Sequence, residues 1–212
     1  MSTATLYDYW RSSASYRVRI ALNLAGIAYE SISINLLEAE HKSRKHLARH
    51  PQGLVPVLEI DGHEFTQSLA ILEYLDTTRK QNWIPDDPAQ ATLVRALAHT
   101  LAVDVHPVCN LSVVAHVASL VDNADGTREA WMKHFIRPGL LAFEQQLQAF
   151  EQSPYATGNE PGLVDICLIP QLYNAIRWEV DYQDCPRIRT IQSACESNAA
   201  FLAAHPDSVK RV

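Results

Sequence analysis

The chain has 212 residues, of which 47% are hydrophobic and 20% charged, and its formal net charge is -6. This composition is typical of a globular protein that buries a sizeable core in one large or two small domains. The acidic balance, without a block of lysine or arginine, argues against nucleic acid as the main partner, because phosphate binding requires a basic surface. We expect no membrane partner, since no apolar stretch is long enough to cross a bilayer, and no signal peptide in Met1–Thr5. The four cysteines are widely spaced and form no CxxC pair, which indicates reduced thiols in a cytoplasmic protein.

The first 80 residues predict a small α/β domain. A strand at Thr5–Tyr7 leads into an amphipathic helix that ends near Gly26, and a second β-like segment follows at Ser31–Ile34. Polar residues from Glu38 to Arg49 predict a loop or a weakly helical turn. An Asp61-Gly62 pair between two apolar runs then predicts a tight β-hairpin, which a helix follows.

Pro56 begins the first strand of that hairpin, where a residue without an N–H group cannot donate to a ladder. It therefore occupies an edge or bulge position, or it follows a cis peptide bond that turns the backbone of Val55 outward. Cis bonds are only about 5–6% of X-Pro bonds, so Pro56 considered alone favours the first alternative. The second would leave Val55 free to pair with a peptide-like ligand.

The second half of the chain is predicted to be entirely helical. Pro85–Pro88 forms a polar linker, and apolar residues recur at helical spacing from Leu93 to Leu101 and from Trp131 to Phe150. Two further helices are expected at about Leu163–Trp178 and Pro186–Ala204. The predicted domains are therefore residues 1–80, which are α/β, and residues 88–212, which are all-α.

The stretch from Tyr9 to Arg19 concentrates groups that suit anion binding. Three serines and an arginine lie at a strand-to-helix turn, where hydroxyl donors, backbone N–H groups and positive charge meet. By themselves, Ser12 and Ser13 are more typical of ordinary N-caps. Tyr9 is expected to pack rather than to act in catalysis, and Arg17 and Arg19 are either solvated helix charges or interface partners.

His46 and His50 are spaced i, i+4, as two metal ligands on one helix face would be. No third ligand lies nearby and Pro51 adjoins them, so we expect a polar surface and no metal site.

Ser12–Leu22 closely resembles the SSCSxRVRIAL signature of the zeta-class glutathione transferases. The resemblance continues in order along essentially the whole chain, through Gly53–Pro56, Gln67–Leu75, Asn110–Val113, Asp165–Gln171 and Arg177–Asp181. It implies a thioredoxin-like α/β domain with a mixed four-stranded sheet, an all-α C-terminal domain, a cis Pro56 and assembly as a homodimer.

The resemblance also implies which residues bind glutathione. Ser13 would donate a hydrogen bond to the sulfur, and it forms our catalytic group with Ser12, Ser15 and Arg11. The implied cofactor-binding set comprises Ser12, Ser13, Ala14, Ser15, Arg17, His41, Val55, Pro56, Gln67, Ser68, Asn110 and Ser112. Val55 would pair with the cysteinyl part, Gln67 and Ser68 with the γ-glutamyl end, and His41 with the glycine carboxylate.

Two positions depart from the family pattern. Ala14 replaces a cysteine, so that thiol cannot be needed for activity here. Gly162 replaces the Ser or Thr of an N-capping box that ends at Asp165, a change that bears on stability more than on chemistry.

The implied activity is the glutathione-dependent cis–trans isomerisation of maleylacetoacetate to fumarylacetoacetate, a step of tyrosine and phenylalanine catabolism. A bound thiolate would add to the cis double bond of the diketo acid, the resulting single bond would rotate, and elimination would regenerate glutathione. Arg11 and Arg177 are our candidates for pairing the substrate carboxylates, because planar guanidinium suits carboxylate recognition.

Three other functions stay open. Related maleylpyruvate isomerases carry an additional arginine just after the asparagine that matches Asn110, whereas this chain has Leu111. A zeta-class transferase would instead consume glutathione by conjugating or dehalogenating α-haloacids. A binding module without activity would have no need of the retained Ser13.

Overall fold

A computed structural model describes residues 4–210, so that part of Met1–Thr5, where no signal peptide is expected, lies outside the described residues. The chain divides into two compact units. One contains the residues up to Asn82 together with those from Glu196 onward, and the other runs from Trp83 to Cys195. The predicted domains, residues 1–80 and 88–212, differ from this division at the C-terminal end. The difference arises because the last helices pack with the first unit.

The first unit contains a four-stranded mixed sheet. Its strands are β1 (Ala4–Asp8), β2 (Tyr29–Ser33), β3 (Val57–Ile60) and β4 (His63–Thr66), in the order β2-β1-β3-β4. β1 and β2 are parallel, and the other two pairs are antiparallel. The predicted fold class, a thioredoxin-like α/β domain followed by a helical region, is confirmed.

The predicted hairpin is confirmed by its turn. Asp61 and Gly62 have φ angles of 53° and 81°, and positive φ at both central residues defines the tight turn that joins two-residue hairpins. The peptide bond between Val55 and Pro56 is cis, as the family resemblance implied and against the expectation from Pro56 alone.

The first unit also contains helices. They are α1 (Ser13–Leu24), a 3-10 turn (Glu40–Lys42), α2 (Arg44–Arg49), α3 (Ser68–Arg79), α9 (Ala199–Ala204) and α10 (Pro206–Val209). α1 packs against α3 and also against α9, which returns from the far end of the chain. The core contains the fully buried side chains of Leu6, Val18, Ile20, Leu22, Leu58, Ile71, Leu72 and Leu75.

Two expectations of exposed polar residues are wrong in this unit. His46 in α2 and His50 at its C-cap are only 1% and 4% exposed, and His46 Nε2 lies 2.8 Å from the carbonyl oxygen of Leu54. Arg17 and Arg19 are not solvated helix charges, since both are buried with polar partners at hydrogen-bond distance.

The second unit is helical. It contains α4 (Pro88–His99), a π-helix (Thr100–Val105), α5 (Leu111–Ala118), α6 (Ala124–Gln146), a 3-10 turn (Leu147–Ala149), α7 (Leu163–Arg177) and α8 (Pro186–Glu196). The last residues of the predicted linker begin a helix, because Asp87 caps α4 and Pro88 occupies its first turn. The predicted helix Pro186–Ala204 is instead two helices, with Asn198 capping the second. Among the residues described, no helix is long and apolar enough to span a membrane.

Asp165 supplies the carboxylate half of a capping box at the start of α7, while Gly162 at the N-cap has no side chain to return the second hydrogen bond. Its Oδ2 accepts a 2.8 Å hydrogen bond from the N–H of Gly162, and its Oδ1 accepts one of 2.9 Å from the N–H of Ala156. The side chain is fully buried. Burial raises the pKa of the carboxyl to about 6, although the two hydrogen bonds lower it.

Candidate active site

One edge of the sheet in the first unit collects the predicted site residues. Tyr7, near the end of β1, pairs with Val57 at the start of β3, and Val57 pairs with Thr66 at the end of β4. In an antiparallel pair, the end of one strand lies beside the start of its neighbour. The loops after β1, before β3 and after β4 therefore all leave from this edge. These loops carry Ser12 and Ser13, Val55 and Pro56, and Gln67 and Ser68 respectively.

The loop after β1 ends in the N-cap of α1. Ser12 is extended (φ -70°, ψ 122°), and its Oγ accepts a 3.2 Å hydrogen bond from the N–H of Ser15. The N-cap interpretation of Ser12 is therefore confirmed as local structure, while the N–H groups of the first helical turn point toward the same end. Ser13, the first residue of the helix, is half-buried.

The other side chains of this turn differ in their access to a ligand. Ser15 is fully buried, and its hydroxyl has no hydrogen-bond partner among the described residues. Ala14 and Arg11 are half-buried, and the guanidinium of Arg11 lies 5.3 Å from the ring centroid of Trp10. Tyr9 is buried against Trp10, as the packing interpretation requires. At this turn the Ser12 hydroxyl thus caps the helix and the Ser15 hydroxyl is buried, while Ser13 between them is half-buried.

The loop before β3 presents backbone. The β3 ladder begins at Val57, so the half-buried Val55 and the cis bond to Pro56 lie just outside it. A residue in this position can offer its N–H and C=O groups to an extended peptide, as an added strand would receive them.

The loop after β4 is fixed to α1 through a buried hydrogen bond. Arg17 Nη1 donates to Ser68 Oγ over 2.7 Å, and both side chains are buried. Gln67 precedes α3 with φ 66° and ψ 104°, a left-handed backbone that is uncommon for a residue other than glycine and that recurs at ligand-binding positions. The sequence placed Arg17 in the binding segment, but no local pattern could show its pairing with a residue 51 positions away.

His41 lies in the 3-10 turn that follows β2 and is half-buried. Burial, followed by the nearby charges of Lys42 and His46, lowers the pKa of its imidazole. At neutral pH it is therefore uncharged, and it can serve a carboxylate as a hydrogen-bond donor rather than as a cation.

The predicted site residues of the second unit lie at the ends of two helices. Asn110 caps α5, with its Oδ1 accepting hydrogen bonds from the N–H and the hydroxyl of Ser112 at 3.2 and 3.3 Å. Arg177 is the last residue of α7 and is exposed, with its guanidinium 6.0 Å from the ring centroid of Trp178. Asn110 and Ser112 are thus brought together, and Arg177 belongs to another helix end.

Neither a reactive cysteine nor a metal centre accompanies this site in residues 4–210. None of the four cysteines forms a disulfide bond and all four are buried, and burial raises the pKa of Cys109 to about 11. The described residues contain no group of three or more His, Cys, Asp or Glu placed to hold a metal ion. Any thiol chemistry at the α1 turn would therefore come from a bound ligand.

The fold and the turn together define a thioredoxin-like protein whose cis-proline edge suits a thiol-bearing peptide. The family described as glutathione S-transferase, N-terminal domain, matches residues 2–77. A maleylacetoacetate isomerase from Rhizobium meliloti (strain 1021) is 52% identical over 97% of both chains.

Two solved structures extend this similarity. The maleylacetoacetate isomerase of Anaeromyxobacter dehalogenans 2CP-1 with glutathione bound in its active site is 39% identical, with a TM-score of 0.86 over 97% of this chain and 96% of that one. A holo maleylpyruvate isomerase, described as a bacterial zeta-class glutathione S-transferase, is 35% identical, with a TM-score of 0.91 over 96% and 97%. The chain therefore belongs to the zeta class of the glutathione transferases, the family of the maleylacetoacetate isomerases.

Proposed function

We propose that this protein is a glutathione-dependent cis–trans isomerase that converts maleylacetoacetate to fumarylacetoacetate in tyrosine and phenylalanine catabolism. The observation that carries the proposal is the convergence of Ser13, Val55 and Ser68 at one edge of the sheet. The relative with 52% identity bears the name of this enzyme, and the two chains match over nearly their whole length.

The residues at this edge fit glutathione. The backbone of Val55 before the cis Pro56 would receive the cysteinyl part, and Gln67 and Ser68 at the start of α3 would hold the γ-glutamyl end. A carboxylate is favoured at a helix N-terminus, where N–H groups and the helix dipole attract negative charge. Arg17 supports this contact by fixing the hydroxyl of Ser68, and the uncharged His41 would donate a hydrogen bond to the glycine carboxylate.

When bound, glutathione supplies the nucleophilic sulfur that adds to the cis double bond and later leaves. The protein's task is to keep that sulfur ionised, since a free thiol has a pKa of about 8.5 and is only slightly ionised at neutral pH. A helix N-terminus contributes about 0.3–2 kcal/mol and a hydrogen bond to a charged group about 1.5–3 kcal/mol. Together they lower the thiol pKa by roughly 1.3–3.7 units at about 1.36 kcal/mol per unit. The hydroxyl of Ser13 and the first turn of α1 would supply these two contributions, so no general base is required.

Arg11 and Arg177 would bind the two carboxylates of the substrate and stabilise the developing enolate, because a guanidinium can form two parallel hydrogen bonds with a carboxylate. The observation behind this role is that Arg11 is half-buried beside the serine turn. Replacement of either arginine by methionine should raise KM for the diketo acid without changing the affinity for glutathione. Unchanged KM in both variants would remove the arginines from substrate binding.

Maleylpyruvate is the second candidate substrate, favoured by the similarity to a maleylpyruvate isomerase with a TM-score of 0.91. Against it, the residue after Asn110 is Leu111, which is 52% exposed and offers no cation for a carboxylate. We also propose that the protein is a cytoplasmic homodimer, as the family resemblance implies.

The proposal is tested by assaying the purified protein with glutathione and either maleylacetoacetate or maleylpyruvate, while total thiol is measured in the same samples. We expect complete conversion of maleylacetoacetate to the trans product at constant thiol. Loss of one thiol per product would show conjugation instead. Faster turnover of maleylpyruvate than of maleylacetoacetate would make maleylpyruvate the preferred substrate. A parallel incubation with an α-haloacid measures the conjugating and dehalogenating alternative.

A further inference from the structure

We infer that Arg19, which lies outside the glutathione-binding set, is a positioning residue for the serine turn of the active site. The inference rests on the proposed function and concerns how the buried interior of the first unit holds the turn that receives the sulfur. It follows from the three partners of one fully buried guanidinium.

Arg19 is 0% exposed, and each of its nitrogen atoms has a partner on a different segment. Nη1 forms a 2.6 Å ion pair with Asp8 Oδ2 at the end of β1. Nη2 donates to the carbonyl oxygen of Trp10 over 2.8 Å, and Nε donates to the carbonyl oxygen of Ala204 over 3.0 Å. The charge is thus compensated by Asp8, while the planar fork joins the active-site loop to α9.

The bond to Trp10 bears directly on the catalytic turn. Trp10 precedes Arg11 and Ser12, and the N–H of Ser12 closes a turn on the carbonyl oxygen of Tyr9 at 2.9 Å. Fixing the peptide that follows Trp10 therefore fixes the approach of the chain to the N-cap of α1. The direction of the Ser13 hydroxyl and of the first-turn N–H groups depends on this approach.

The C-terminal segment reinforces the same loop. α9 packs against α1, and the ammonium of Lys210 lies 5.0 Å from the ring centroid of Trp10. Both contacts at Trp10, one to its carbonyl and one to its ring, depend on elements from opposite ends of the chain. Through its hydrogen bonds to Ala204 and Trp10, Arg19 joins α9 to the loop that leads into the serine turn.

Asn23 provides a matched control on the same helix. It lies one turn beyond Arg19, and its Nδ2 donates to the carbonyl oxygen of Ala200 over 3.0 Å. Asn23→Ala therefore removes a tie between α1 and α9 that has no contact with the turn. A role of Arg19 in stability alone would be reproduced by this control, whereas a positioning role would not.

The experiment measures the apparent pKa of the glutathione thiol in the binary complex, from the ultraviolet absorbance of the thiolate, in wild type, Arg19→Lys and Asn23→Ala. Lysine keeps the charge beside Asp8 but cannot reach both carbonyl oxygens. We expect Arg19→Lys to raise the thiol pKa by about one unit, a tenfold change in the ionisation equilibrium. Its pH–rate profile should move by the same amount and kcat should fall more than KM for glutathione changes, while Asn23→Ala should lower only the melting temperature.

If Arg19→Lys does not fold, Asp8→Asn with Arg19→Met removes both buried charges and leaves none uncompensated, and the same rise is expected. A thiol pKa equal to that of wild type in whichever Arg19 variant folds overturns the inference and leaves the proposed function intact. A wild-type complex that binds glutathione without thiolate absorbance refutes the proposed function and this inference together.

Discussion

Asp165→Asn tests the free energy of holding a buried carboxyl at the start of α7. Burial raises its pKa from 3.8 to about 6 in the folded protein, and two units correspond to about 3 kcal/mol at 1.36 kcal/mol per unit. Between these two values the folded state keeps a proton that the unfolded state releases. The contribution of Asp165 to stability is therefore full below about pH 4 and is lost as the pH rises to about 6.

The asparagine variant lacks this titration but carries its own defect. Its amide NH2 would face one of the two N–H donors of Gly162 and Ala156, so we expect it to be less stable than wild type at low pH by about 1–3 kcal/mol. The measurement is the free energy of unfolding by urea at a series of pH values from 4 to 7. We expect the stability advantage of wild type over Asp165→Asn to shrink by about 3 kcal/mol across this range.

Asp184 is the control with the opposite sign. Its carboxylate is ion-paired with Arg137 at 2.6 Å, which lowers its pKa. Wild type should therefore gain stability over Asp184→Asn as the pH rises to about 4 and keep a constant advantage from there to pH 7. If the advantage of wild type over Asp165→Asn fails to shrink between pH 4 and 7, the two backbone hydrogen bonds outweigh burial. The folded pKa of Asp165 is then not raised above 3.8, and the reasoning is refuted.

Three further changes test the site. Ser13→Ala should raise the pKa of the thiol of bound glutathione by about 1–2 units, because a charge-assisted hydrogen bond is lost. Turnover equal to that of wild type at neutral pH would show that this hydroxyl has no part in the mechanism. Gly53→Ala should destabilise the protein more than Gly26→Ala, as judged by urea unfolding. Both glycines have φ 64°, but a Cβ at Gly53 would lie 2.7 Å from a backbone carbonyl oxygen, whereas at Gly26 nothing lies within 4 Å. Arg17→Lys should weaken glutathione binding, measured by calorimetry, because a single ammonium replaces the fork that holds Ser68; unchanged affinity would show that Ser68 needs no support.

Local sequence predicted the elements whose signals lie in neighbouring residues. The Asp61-Gly62 turn and the N-cap at Ser12 each depend on residues within a few positions of one another, and both are present. The resemblance to a family signature supplied the thioredoxin-like sheet and the cis bond before Pro56, which propensity alone disfavoured.

Predictions about burial failed where contacts outside the local segment decide the exposure of a side chain. His46 and His50 lie in a segment with the pattern of an exposed polar loop, yet both are buried. Nε2 of His46 lies at hydrogen-bond distance from the carbonyl oxygen of Leu54. Arg19 has the pattern of a surface helix charge, but its partner Ala204 lies 185 positions away.

The sequence by itself determined the thioredoxin-like class and the serine turn, because turns, caps and a family signature are written in contiguous residues. Only the tertiary structure decided that the last helices return to the first unit and that Arg19 joins them to Trp10. The physical reason is that a charged side chain can be buried only where other groups compensate its charge and accept its hydrogen bonds. Where those groups are carbonyl oxygens from distant parts of the chain, the local sequence does not indicate which ones they are.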